Sequence, residues 1–510
     1  MQLQAELRYK EPAFVVDVIH SCLVDTLPQC RYIALSYVWG RAAVFKHLLE
    51  NSQDLRKTGS FRLLPIPATI RDAMSLVHAI GERYLWVDSL CIVQDDLKMQ
   101  QSEIMRMGSI YSSALFTIIA AAGDHANNGL PGVEPGSREQ VQKILKLGNC
   151  ELLTVIDIHK TQNGFDNTVW GSRAWTFQER ALSNRVLVFS ENQVYWSCRV
   201  ASHSEERALE NVRVLERYRL SFPQTQQDDS LSWQSLQPFD YCNLYDDLLY
   251  IYRQRRLTYQ VDTLNAFSGV TEVLAALQSD TFFWGLPGSF FSYAMTWELT
   301  GRSSRNYIEI PIFGSDGTKE MIPVPSWSWA AWTGRDSSSH LSDLKDIFND
   351  TVVPLIHFSI VDSKRQLVMI KERSGHEQDH PDRVRALWQG AQSHQLPCLP
   401  PHYLPQVGQL CFWTSAATLK VIRSCGVGAR GIYYTFDFPD SQPDSDATVH
   451  DADIVDQEFI VIAARSGNQR LILLAIEWKD EVAYRVAKEE IDKAAWLQAE
   501  NRQWRLITLG

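Results

Sequence analysis

Between Arg31 and Ala122 the chain alternates short apolar runs with longer stretches in which apolar residues return every three or four positions. RYIALSYVWG (Arg31–Gly40) begins as a strand-like apolar stretch. Over Pro67–Gly81, Ile70, Ala73, Met74 and Val77 share one helical face, Pro67 suits a first-turn position and Gly81 supplies a left-handed cap. YLWVDS (Tyr84–Ser89) predicts a strand whose end carries a carboxylate. Lys98–Ser112 predicts a helix with Ile104, Met107, Ile110 and Tyr111 on one side, and Leu115–Ala122 an almost continuous apolar strand.

Strand, helix, strand, helix, strand is the pattern of βαβ crossovers. It predicts an α/β N-terminal domain with an open, mostly parallel sheet covered on both faces. Parallel strands bring their polar C-terminal ends to one edge, where open α/β sheets bind ligands. Ser36, Tyr37, Trp39, Asp88, Ser89 and Asp124 are expected to converge there. In GSRAWTFQERALSNRVLVFSENQVYWSCR (Gly171–Arg199), Ser172 is placed to cap a short helix. Val186–Phe189 and Gln193–Cys198 read as a hairpin around Ser190–Asn192.

Farther on, Tyr241–Arg256 and Asp262–Leu277 read as amphipathic helices. Strands follow at Gln366–Ile370, Gln409–Trp413, Ile432–Phe438, Glu458–Ala464, Leu471–Trp478 and Arg505–Leu509, with an acidic loop expected over Pro439–Asp453. Trp284, Trp297, Trp327, Trp329 and Trp332 mark a Trp-rich α+β C-terminal region with many strands. The expected divisions are 1–205, a helical or mixed extension over 206–333, and a strand-rich region over 334–510.

Composition narrows the function. At 510 residues the chain exceeds one ordinary core, and its net charge of −11 argues against a nucleic-acid partner. Its nine cysteines form no C-x-x-C pair, which predicts free thiols in a reducing compartment. The N-terminus has no apolar signal core, Leu115–Ala122 is far too short to span a membrane, and a soluble, cytoplasmic protein is expected.

Three blocks carry a resemblance. ALSYVWG (Ala34–Gly40), RYLWVDSLCIVQDD with the following EIMRMGSIYSSA (Arg83–Ala114), and SRAWTFQERALSNRVLVF (Ser172–Phe189) resemble the signature blocks of the fungal heterokaryon incompatibility (HET) domain. The resemblance continues more weakly through RLTYQVDTLNAFSGV (Arg256–Val270), FFWGLP (Phe282–Pro287) and VPSWSWAAW (Val324–Trp332). It implies fungal allorecognition and programmed cell death, a form of innate immunity, with a protein partner or self-association. The likeness of that domain to Toll/interleukin-1 receptor (TIR) domains implies a Rossmann-like or TIR-like fold. It also implies NAD as a substrate of some members, with no cofactor required. A non-enzymatic module acting by self-association is the competing expectation.

Candidate chemistry centres on carboxylates. Glu103 continues the apolar stripe of its helix, where partial burial raises a pKa and suits a general base; an ion pair with Arg106 is its plainer role. Asp88, at a strand end, can orient a ribose hydroxyl or a catalytic partner, or cap the next turn. Arg173, Trp175, Gln178, Glu179 and Arg180 either bind an anionic ligand or lock their helix to the sheet; Ser36, Tyr37, Trp39, Gly40 and Ser89 either line a pocket or fill a core. Cys91, flanked by Leu90 and Ile92, reads as a small buried hydrophobe. No metal site is expected. HEQDH (His376–His380) matches H-E-x-x-H but lacks an apolar helical stripe and precedes Pro381. GVGARG (Gly426–Gly431) matches G-x-G-x-x-G but precedes a strand rather than a helix.

Overall fold

The computed structural model describes residues 11–40, 44–138, 144–153, 167–198, 201–205, 238–298, 304–313, 319–333, 352–372, 406–425, 432–436, 453–465, 469–499 and 501–510. The two decoy motifs and residues 439–452 of the acidic segment lie outside them. The chain divides into two compact units: Met1–Leu236 with Arg255–Leu277, and Gln237–Gln254 with Gln278–Gly510. The segment 255–277, grouped by sequence with the mixed extension, thus packs in the first unit.

The first unit is built on strands β1 (Phe14–Asp17), β2 (Cys22–Asp25), β3 (Tyr32–Ser36), β4 (Tyr84–Val87), β5 (Thr117–Ala120), β6 (Arg185–Phe189), β7 (Val194–Cys198) and β8 (Ser202–Ser204). Helices α1 (Ala68–Ala79) and α2 (Leu97–Ser113) lie between β3 and β4 and between β4 and β5; α3 (Trp175–Ala181) precedes β6. Pro67 stands just outside α1, and Gly81, at φ +82°, closes its C-terminal turn as expected. Asp96 starts α2 by accepting from the Lys98 and Met99 backbone N–H groups. Helix α3, in contrast, begins at Ala174 with no side-chain cap. Ser172 donates instead to the Val169 carbonyl, so the expected Ser172 cap is corrected.

These strands form one sheet in the order β8-β7-β6-β5-β3-β4-β1-β2. Only β6, β5, β3 and β4 are mutually parallel; β1–β2, β1–β4, β6–β7 and β7–β8 are antiparallel. The expectation of a mostly parallel sheet is therefore corrected to a mixed one. The β1–β2 and β6–β7 links are too short for a crossover, so these strands must turn back as hairpins. Within the parallel centre, Ile118 and Ala120 of β5 join one apolar cluster, while Ile119 and the adjoining Ala121 join another. This alternation puts the two cores on opposite faces.

Asp17 locks the β1–β2 hairpin. Its carboxylate accepts from the Ile19 and His20 backbone N–H groups, each at 3.0 Å, and pairs with Arg83 at 2.8 Å. Burial alone raises its pKa, but the bonds from Arg83 and His20 outweigh burial and pull it down to about 2. Its stabilising contribution is present above the ordinary range near 3.8 and is lost as pH falls through about 2. Asp17→Asn should therefore cost about 1–2 kcal/mol at pH 7, discounted for the half-exposed Arg83, and nothing near pH 2. Urea unfolding at the two pH values checks this.

The second unit contains a nine-stranded sheet and the helix Pro238–Arg253. Asp453–Arg465, Arg470–Lys479, Val482–Asp492, Gln503–Leu509 and Leu410–Cys425 pair in succession, and the long last strand returns to pair with the first. That closure removes edges from this part of the sheet. Of the five tryptophans singled out from sequence, Trp327 and Trp329 are buried, and Trp284, Trp297 and Trp332 are half-buried. Cys22, Cys30, Cys91, Cys150, Cys198, Cys242 and Cys411 carry free thiols. Among the described residues, no helix is long and apolar enough to cross a membrane.

Candidate functional site

The four parallel strands run β4-β3-β5-β6 across the sheet. The first crossover moves from β3 to β4, and the next returns past β3 to β5, so the winding direction reverses at β3. Crevices at the carboxyl ends of strands form where winding reverses. Ser36 is the last residue of β3, and Asp88 directly follows β4 in a one-turn helix, Asp88–Cys91.

These two ends carry a linked polar cluster. The Ser36 hydroxyl donates to the Glu179 carboxylate and accepts from Trp170 Nε1 at 2.7 Å. Trp39 Nε1 donates to Asp88 Oδ2 at 2.8 Å, and Tyr37 donates to Ser89 Oγ at 2.9 Å. Arg173 donates to the Tyr37 carbonyl at 3.2 Å, and its charge acts on both Asp88 and Glu179. Tyr111, from α2, is hydrogen-bonded to Glu179. Ser36, Tyr37, Ser89, Tyr111, Trp170 and Glu179 are buried; Trp39, Asp88 and Arg173 are half-buried and form the accessible part of the group. Lys46 lies over the Trp39 ring, 5.2 Å from its centroid.

Two carboxyl groups in this setting titrate near neutrality. Burial pushes Glu179 up to about 7; the charge of Asp88 adds to the rise, while Ser36, Arg173 and Tyr111 oppose it. Burial pushes Asp88 up to about 6 against the bonds from Trp39, Ser89 and Tyr37 and the charge of Arg173. Carboxyl groups raised in this way can exchange a proton near neutral pH. Trp39→Phe removes a donor that favours the Asp88 carboxylate, so it should raise the Asp88 pKa above 6. Carboxyl-carbon NMR of the full chain, compared with Asp88→Asn for assignment, checks the direction.

The remaining residues singled out from sequence lie around or away from this cluster. Gly40, at φ +78°, turns the chain after Trp39 against His125. Gln178 is buried, and its Oε1 accepts from the Gly269 backbone N–H at 3.2 Å. Trp175 is half-buried and bonds to Asp262. Arg180 is half-buried one residue beyond Glu179. Asp124 is exposed beside His125. Glu103 is buried at 3% exposure, and burial raises its pKa, as its place on the α2 stripe leads one to expect. Its carboxylate, however, meets Arg106 at 3.2 Å and the Ala13 backbone N–H at 3.4 Å, next to β1. Cys91 is buried and its thiol is pushed up by burial. Tyr111 and Trp170 were not singled out from sequence. Tyr111 lay on the α2 stripe, whereas Trp170 stood just ahead of the signature block.

Residues 32–179 match the family model described as "Heterokaryon incompatibility protein (HET)". The matched residues lie in the first unit, so the likeness to the HET family is confined to that part of the chain. Within 142 aligned residues it is 27% identical to "Heterokaryon incompatibility protein 6, OR allele" of Neurospora crassa. That similarity covers 24% of this chain and 21% of the relative. No solved structure matches.

Proposed function

We propose that this protein is a cytoplasmic effector of fungal non-self recognition, whose first unit triggers programmed cell death by hydrolysing NAD or a related nucleotide. The observation that carries the chemical part is the meeting of Asp88, Glu179 and Arg173 at the carboxyl edge of the parallel strands. The order β4-β3-β5-β6 supports a Rossmann-like or TIR-like reading, because it repeats the strand order of flavodoxin-like sheets.

In this reading water replaces nicotinamide at the ribose anomeric carbon. The glycosidic bond breaks with its electron pair on nicotinamide, the water oxygen bonds to carbon, and one proton is released with ADP-ribose. A carboxylate opposite the ring stabilises the ribosyl cation, and the second takes the water proton, a division of labour common to glycosidic cleavage. Half-buried Asp88 suits the first role and Glu179, titrating near 7, the second. Arg173 supplies a bidentate partner for phosphate.

A scaffold acting by self-association is favoured by a different observation: Ser36, Tyr37, Ser89 and Glu179 are buried, with Ser36 bonded to Glu179 and Tyr37 to Ser89. Inducing the full chain in a fungal host separates the two. Wild type should deplete NAD and kill, while Asp88→Asn and Glu179→Gln slow both by at least about a hundredfold at equal protein level. Death without NAD loss, equal in both variants, supports the scaffold. Glu103→Gln is the third arm, and loss of NAD depletion there alone returns the base to α2.

A further inference from the structure

The residues matched to the HET family end at Glu179, yet the helix carrying Glu179 is held by chain more than seventy residues farther on. Arg256 donates from its backbone to the Ser172 carbonyl at 2.6 Å, and its own carbonyl accepts from Ala174 at 2.9 Å, forming a parallel bridge opposite Arg173. Arg255 donates to Thr176 Oγ1 at 3.2 Å and lies over the Phe177 ring. Asp262 takes the bond from Trp175. Phe267 stacks on Phe177 with centroids 6.1 Å apart, and Gly269 donates to Gln178 Oε1 at 3.2 Å. Each residue from Arg173 to Gln178 except Ala174 thus meets 255–269 through its side chain or at its bridge position, and Ala174 does so through its backbone.

The closest approach is at Gly269. A Cβ there would come within 2.8 Å of Gly108 Cα on α2, 2.7 Å of Leu182 Cδ1 and 2.9 Å of Gln178 Oε1. A reciprocal Cβ on Gly108 would come within 2.7 Å of Gly269 Cα. Glycine at both positions lets the helix Asn265–Gln278 reach α2 and α3 at backbone distance. The chain enters this segment from Gln254 and leaves it toward Gln278, both residues of the second unit.

We propose that residues 255–277 are a clamp that positions Arg173 and Glu179, so that the working HET unit is discontinuous in sequence. This rests on the reading of Asp88, Glu179 and Arg173 as the site. The residues of the clamp are positioning residues: they hold Arg173 at its backbone and reach Glu179 through α3. An N-terminal fragment ending near residue 205 lacks the clamp altogether.

The test uses the full chain, with infrared titration of its protonated carboxyl groups; the Glu179 band is assigned as the one missing in Glu179→Gln. Gly269→Ala should keep the circular dichroism of a folded protein, shift the Glu179 midpoint down by at least about one unit, and slow NAD depletion at least about tenfold. Arg255→Gln, which introduces no clash, should move the same midpoint in the same direction by a smaller amount, and it serves if the alanine variant fails to fold. A contact that is only structural lowers the melting temperature and leaves the midpoint in place. An unchanged Glu179 midpoint in a folded Gly269→Ala or Arg255→Gln variant overturns the clamp. Full NAD depletion by Glu179→Gln overturns the catalytic reading of the site and leaves the titration result standing.

Discussion

Glu179→Gln should melt several degrees above wild type at pH 8 while losing NAD depletion. Glu179 is 7% exposed, and burial raises its pKa from 4.5 to about 7. The folded state therefore holds the proton more tightly than the unfolded chain. The resulting stabilisation is complete below about 4.5 and is lost as pH rises through about 7. At pH 8 the folded protein carries a buried carboxylate at a cost of about 2–3 kcal/mol, from the size of the shift. A glutamine keeps an acceptor for Ser36 and presents its amide to Tyr111 without that cost. For a unit of this size, a gain of that order is roughly 4–10 °C. Calorimetry at pH 8 and pH 4.5 measures it: the variant leads at pH 8 and the curves meet at pH 4.5. A variant that melts lower at pH 8 shows that the charge is compensated by its neighbours. A residue held against stability in this way is what a functional site requires and a packing site does not.

Gly40→Ala should be among the most destabilising single-methyl changes in the first unit, costing roughly 3–4 kcal/mol. Part of that is conformational, since alanine at φ +78° loses about 1 kcal/mol relative to glycine. The larger part is overlap: the new Cβ would run into the His125 Cβ and lie 2.9 Å from its Cα. The His125 backbone cannot easily retreat, because the next residue, Ala126, donates to the Trp39 carbonyl and accepts from Thr69. Gly81→Ala separates the two costs. Gly81 has φ +82° and nothing within 4 Å of where the alanine methyl would sit, so its change should cost only about 1 kcal/mol. Denaturant unfolding of the two variants side by side gives the difference, and equal losses remove the steric account. Since Gly40 follows Trp39, the variant should also weaken the Trp39–Asp88 bond.

Periodicity was enough to find β3, α1, β4, α2 and β5, because each is a run whose apolar spacing matches its own repeat. It was enough to bring Ser36 and Asp88 to one edge, because right-handed crossovers leave little choice of topology. It did not find β1 and β2, four-residue strands that join the sheet through the antiparallel pairing of β1 with β4. Glu103 and Glu179 show the limit most clearly. Both are buried glutamates on helices, and the α2 stripe correctly marked Glu103 as inward. Which glutamate lies close enough to feel the charge of Asp88 depends on the approach of residues about ninety positions apart, and no local pattern encodes that. The assignment of 255–277 to a later region failed to anticipate its packing for a related reason: reading along the chain treats neighbours in sequence as neighbours in space. The weak likeness in RLTYQVDTLNAFSGV was the one signal that this segment belongs with the earlier blocks.

The most direct measurement is nicotinamide release from NAD by the purified full chain between pH 5 and pH 9. Wild type should release nicotinamide with a rate that rises through about pH 7, as Glu179 loses its proton. Asp88→Asn and Glu179→Gln should be slower by at least about a hundredfold, and exposed Asp124→Asn should match wild type. No release by wild type, or equal release by wild type and Glu179→Gln, contradicts the assignment of these two carboxylates to the chemistry.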